Sequence, residues 1–238
     1  MFAIPAIFLF RERCGMRSAK SRGQLIGLLL FIQIAGLIVP FALLRPMMTA
    51  DFLADAAAYS TQIKVAVFLL LANCALTIVI STLAYPALRQ SGEAAAVLLA
   101  AVSVIMFSLQ AVDNAHLMSM LSLSREYVQR GGGGGADEIF QTLAAVTRSA
   151  RRWVHYSELL VIDAWIGLLY SLLYRFRLVP RGLAVFGLVT VLLHFAGITL
   201  PLLLGYTSVT LLGVGLALSH IALSGWLLIK GFREKNPT

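Results

Sequence analysis

Between Trp153 and Leu204 the chain holds two apolar segments, Trp153 to Tyr174 and Gly182 to Leu204, separated only by the short basic turn RFRLVPR. Each segment is long enough to cross a hydrocarbon core of about 30 Å. The turn carries Arg175, Arg177 and Arg181 with no acid among them, and short loops rich in Lys and Arg stay on the cytoplasmic side. A chain built this way is expected to be a multi-span membrane protein oriented by that turn.

The composition points to the same solvent. With 59% hydrophobic and 13% charged residues in 238, and a mean hydropathy of +0.86, the chain carries more apolar surface than a water-soluble core can hide. Soluble domains carry about 25% charged residues. A net charge of +8 would suggest nucleic acid in a soluble protein, but here the basic residues sit in loops and tails. They read as topology signals and contacts to lipid phosphates, so the bilayer is the expected partner and nucleic acid is not. Cys14 lies in the basic tail and Cys74 inside an apolar span, a spacing that offers neither a disulfide nor a metal site. No cofactor is expected.

Length and helix breakers place six spans at Gln24 to Leu44, Ile63 to Tyr85, Ala94 to Leu121, Trp153 to Tyr174, Gly182 to Leu204 and Val209 to Ile229. The expected architecture is all-α and polytopic: a basic cytoplasmic segment 1–23, one transmembrane domain 24–230 and a cytoplasmic tail 231–238. An even number of spans puts both termini on one side. The basic residues of the N-terminal tail, Arg89, the RFRLVPR turn and the C-terminal Lys230, Arg233 and Lys235 make that side cytoplasmic, in the inner membrane. The apolar decamer Met1 to Phe10 is too short to span and lacks the features of a cleaved signal. It either lies along the interface or precedes the true start at Met16.

Segment 124–136 reads as a flexible loop, because the run Gly131 to Gly135 loses too much backbone entropy to hold a helix. After it, Asp137 can cap a short amphipathic helix, 137–150, in which Ile139, Leu143, Val146 and Ala150 recur at helical spacing. This helix is expected on the outer surface between spans three and four. Small residues four apart, among them Gly23 and Gly27, allow close helix approach. Pro40 and Pro201 are expected to kink their spans.

The strings LSLSREYV, FQTLAAVTRSARRW, LLYSLLYRFRLVPRGLAVFGL and GWLLIKGF together resemble the bacterial six-span family catalogued as Domain of Unknown Function 4386. The resemblance runs from about Arg17 to Phe232. It implies a six-span fold and no particular reaction or ligand. Two departures stand out: the charged residues expected in the first half of span three are replaced around Ser103 and Met106, and an acid expected in span six stands here as His220.

No phosphate loop, HExxH, nucleophile elbow or cysteine cluster is present. The chemistry rests on polar residues in apolar surroundings, in two groups separated by depth. Near the outer boundary, Asp113 and His116 are three apart on span three, and His155 and Glu158 three apart on span four, so each pair shares a helix face. Four such groups can ligate a divalent metal; the competing reading is a set of wetted interfacial residues. Near the midplane lie Asp163, His194 and His220, with Asn73 and Gln33 at comparable depth. An aspartate there costs about 2.5–3.5 kcal/mol on insertion scales, so it needs a partner inside the bundle. The expected partner is His194, at nearly the same level, ahead of His220. The competing reading is a polar network that only fixes helix packing.

Three function classes follow. The first is a structural or regulatory membrane protein without turnover, partnered by a second copy or another membrane protein. The second is transport of a small solute or proton through the midplane group. The third is a membrane enzyme or redox protein with an outer metal or a haem.

Overall fold

The computed structural model describes residues 19–89, 92–132, 137–204 and 211–233. Among them, six helices are long and apolar enough to cross a membrane. They are α1 (Ala19–Leu43), α2 (Ser60–Arg89), α3 (Glu93–Gln129), α4 (Asp137–Arg175), α5 (Arg181–Leu204) and α6 (Leu211–Lys230). No strand occurs among the described residues. Cys14, Met16 and the decamer lie outside them, as do Gly133 to Gly135.

The helices outrun the apolar segments. Apolarity marks only the part inside hydrocarbon, whereas the backbone ladder continues wherever the residues still favour helix. Helix α3 therefore runs through Ser124 to Gln129, which makes the first part of the expected loop helical. Positive φ appears only afterwards, at Gly131 and Gly132. Likewise, stretch 137–150 forms the opening turns of α4 with no break before Trp153. At about 1.5 Å per residue, α3 and α4 are each well over 50 Å long and project beyond a core of about 30 Å. Phe140 and Ala144 of this extension are buried, and Phe140 meets Tyr127 of α3 edge to face at 5.5 Å. Ile139, Leu143 and Val146 point away from the protein.

Each helix packs on its neighbours in sequence, and α1 closes against α6. The result is a ring of alternating up and down helices. Large apolar side chains such as Ile38, Phe68, Leu192 and Ile229 cover its outside, where a soluble protein would carry charge. The closing seam between α1 and α6 depends on glycine. A Cβ on Gly27 would lie 2.6 Å from the Leu228 backbone nitrogen and 2.8 Å from the Leu227 Cβ, closer than atoms pack. Gly23 likewise abuts the backbone of Gly231 and Phe232. Ser224 of α6 donates to the Gly27 carbonyl at 2.8 Å across the same seam. Pro40, Pro86 and Pro201 all lie inside helices.

The connection from α1 to α2 folds into three short helical pieces, Arg45–Met47, Phe52–Asp55 and Ala56–Tyr59. Its buried Met47, Phe52, Leu53 and Ala56 join a second apolar core with Leu117, Met120 and Leu121 of α3. Ser124 ties it down by accepting from the Ala57 amide and donating to the Leu53 carbonyl. Arg148 of α4 donates to the carbonyls of Thr49 and Ala50 and stacks over Phe52.

Candidate functional site

The ring surrounds a partly open cavity of about 290 Å³ to which all six helices contribute. Because neighbouring helices run in opposite directions, chain order gives the level of each lining residue. One end carries Asp113 of α3 with Arg151, His155 and Glu158 of α4. The other carries Gln33 of α1, Asn73 of α2, Trp165 of α4, His194 of α5 and His220 of α6. The rest of the wall is mostly apolar, with Leu37, Phe41, Leu70, Met106, Leu159 and Leu216 beside Gln110. Members of both groups named from the sequence, all but His116 and Asp163, thus line one cavity.

At the first end, Arg151, His155 and Glu158 fall on one face of α4, at i, i+4 and i+7, opposite Asp113 on α3. The ligand atoms of Asp113, His155 and Glu158 lie within 4.8 Å of one another. The His155 Nδ1 is 3.7 Å from a Glu158 oxygen. The Arg151 Nε is 3.4 Å from the Asp113 Oδ1, close enough for charge attraction. Yet these two atoms, and the His155 Nδ1, are buried without a hydrogen-bond partner among the described residues. The Asp113 side chain is 2% exposed and that of Glu158 5%, so two carboxylates are held inside a membrane protein beside a single guanidinium. His116, expected with this group, is not part of it. It is partly exposed and lies a turn beyond Asp113. Arg151, which precedes the span expected to start at Trp153, belongs to the site. Its spacing to His155 and Glu158 is the signal that would have found it.

At the second end, the Asp163 Oδ1 lies 2.6 Å from the His194 Nδ1, joining α4 to α5. Asp163 faces this helix interface and is absent from the cavity wall, whereas His194 reaches the cavity. His220 does not meet Asp163; its ring stands edge-on to Tyr170 at 5.6 Å. Gln33 donates to the Thr77 hydroxyl at 2.7 Å and reaches the Asn73 carbonyl at 3.4 Å, tying α1 to α2. Asn73 sits over Gly36, where a Cβ would come within 2.8 Å of its Oδ1. On α3, Gln110 donates to Asn114, which donates to the Val67 carbonyl of α2. Deeper in the wall, the Trp165 indole donates to Ser81 at 2.9 Å.

A ring of six apolar helices around a polar-ended cavity defines a polytopic membrane protein. The family model for a domain of unknown function, DUF4386, matches residues 25–231, and the chain belongs to that family. No curated protein and no solved structure matches the chain.

Proposed function

We propose that the chain is an intramembrane binding protein for a small amphipathic molecule. Its apolar body would lie against Leu37, Phe41, Leu70, Met106 and Leu159, and its polar head against Asp113, Arg151, His155 and Glu158. The observation that carries this reading is the cavity itself, which draws its lining from every helix and sets charged and polar groups into a mostly apolar wall. Ligand sites have this composition, and about 290 Å³ falls near the lower end of their usual size. A protein that served only as a scaffold would be better held by apolar packing than by buried Asp113, Arg151 and Glu158, because desolvating such groups costs several kcal/mol each. The midplane groups Gln33, Asn73, His194 and His220 offer further hydrogen bonds at the inner end.

The ring with a cavity also suits passage of the same molecule, the second class expected from the sequence, and a binding step precedes either outcome. The basic residues on the side of Lys20, Arg89, the RFRLVPR turn and Lys230 support cytoplasmic termini in an inner membrane. On that orientation the carboxylate end of the cavity is the outer one.

The test is native mass spectrometry of the full chain released from nanodiscs formed directly from membranes. The wild-type chain should carry a small-molecule adduct besides bulk phospholipid, and Ala217→Phe, which places a ring in the cavity, should lose it. An adduct-free wild type, or an adduct equally abundant in Ala217→Phe, would overturn the reading.

A further inference from the structure

We infer that Asp113, His155 and Glu158 form a binding site for a first-row divalent cation such as Zn²⁺ or Mn²⁺, with a coordination position left open toward the cavity. Three observations converge on it. Two helices bring one imidazole and two carboxylates to one place, with their ligand atoms within 4.8 Å. The two carboxylates are sheltered, Asp113 at 2% exposure and Glu158 at 5%, while His155 is part-exposed at 37%. And the Asp113 Oδ1 and His155 Nδ1 are buried without hydrogen bonds among the described residues, although buried polar atoms are nearly always satisfied. A cation supplies the missing partner for both.

The donor set also fits in kind. Imidazole suits zinc and its neighbours and carboxylate suits manganese and zinc alike, so a mixed set selects the first-row divalent class over sodium or calcium. Ligands at about 2.0–2.2 Å from a tetrahedral ion stand roughly 3.3 Å apart. His155 and Glu158 are already at 3.7 Å, and the Asp113 ligand atom lies within 4.8 Å of theirs. Three protein ligands are what open zinc sites use, the fourth place being left to water or a ligand.

Arg151 competes for Asp113 but does not replace the ion. At 3.4 Å and without a hydrogen bond it leaves the carboxylate lone pairs free. With the ion bound, two carboxylates balance its charge and the guanidinium remains as a net positive group beside the open position. The head accepted there is therefore anionic or strongly hydrogen-bonding, such as a carboxylate. This last step rests on the binding reading proposed above, whereas the metal itself does not: an empty cavity with metal, or an occupied cavity without it, would separate the two.

The experiment is metal analysis of tag-free full chain in nanodiscs, stripped with chelator, loaded with Zn²⁺, Mn²⁺ or Co²⁺ and desalted. Wild type should retain about one ion per chain, and Asp113→Asn and Glu158→Gln should each lose at least nine-tenths of it, while His116→Gln keeps it. On loaded wild type, Co²⁺ should give visible d–d absorption, and Zn²⁺ should protect His155, but not His116, from diethylpyrocarbonate. The protection reading stands even where the carboxylate variants fail to fold. Wild type that retains none of the three metals, variants that retain as much as wild type, or His155 modified at the same rate with and without Zn²⁺ would each overturn the site and leave two ordinary ion pairs.

Discussion

Asp163 on α4 and His194 on α5 approach to 2.6 Å between the carboxylate Oδ1 and the ring Nδ1. Contact through Nδ1 leaves the Nε2 edge of His194 toward Gly213 on α6, where a Cβ would lie 3.7 Å from it. The aspartate thereby fixes the orientation of a ring that lines the cavity without lining it itself. Its second oxygen, Oδ2, is buried with no partner among the described residues, so this one bond bears the whole cost of placing a carboxylate there.

Replacing Asp163 with Leu is accordingly expected to lower stability by about 0.6–1.7 kcal/mol, what polar pairs deliver in membranes and less than charged hydrogen bonds give in water. Thermal unfolding of Asp163→Leu, His194→Leu and the double variant forms a cycle. Effects that add to within about 0.3–0.5 kcal/mol would mean that the pair is not coupled.

This pair was legible in the sequence because depth along a helix follows directly from residue count, and both residues fall near the middle of their spans. Rotation about the helix axis was less legible. Asp113 and His116 share a face by spacing alone, yet only Asp113 turns into the ring, because α3 packs against α2 and α4 at once and that contact decides the phase. Arg151 was hidden by the assumption that span four starts at Trp153; once α4 is one helix from Asp137, Arg151 is a cavity residue. The connection 45–59 gave no sign of its short helices, since their burial comes from distant Ser124 and Arg148 and not from local periodicity.

Gly27 supplies a second test, of the ring's closure. Gly27→Leu would drive a side chain into the Leu227–Leu228 backbone, with its Cβ already 2.6 Å from a backbone nitrogen, and overpacking of this kind costs about 1–3 kcal/mol. Gly182→Ala, where an added Cβ meets nothing, should leave the melting temperature unchanged or slightly raised. Equal behaviour of the two variants would show that the α1–α6 seam does not hold the ring together.

The orientation proposed above predicts a labelling pattern. Val128→Cys, at the exposed end of α3, should react with an impermeant maleimide added outside intact cells. Arg181→Cys, in the basic turn, should react only after permeabilisation. The reverse pattern would invert the molecule and place the Asp113 end of the cavity in the cytoplasm.

The Arg151 Nε lies 3.4 Å from the Asp113 carboxylate. In protein stripped with chelator, Arg151→Gln leaves Asp113 and Glu158 facing each other with no fixed positive charge between them. A loss of about 1–3 kcal/mol is expected, the cost of an uncompensated buried group. If a divalent ion sits between the same carboxylates, adding Zn²⁺ should recover much of that loss, so that the ion raises the melting temperature of Arg151→Gln more than that of wild type. The guanidinium and the ion neutralise the same charge, so removing one increases what the other contributes. A Zn²⁺ shift of equal size in both proteins would show that Arg151 and the ion act on separate groups, and that the guanidinium serves only to hold α4 against α3.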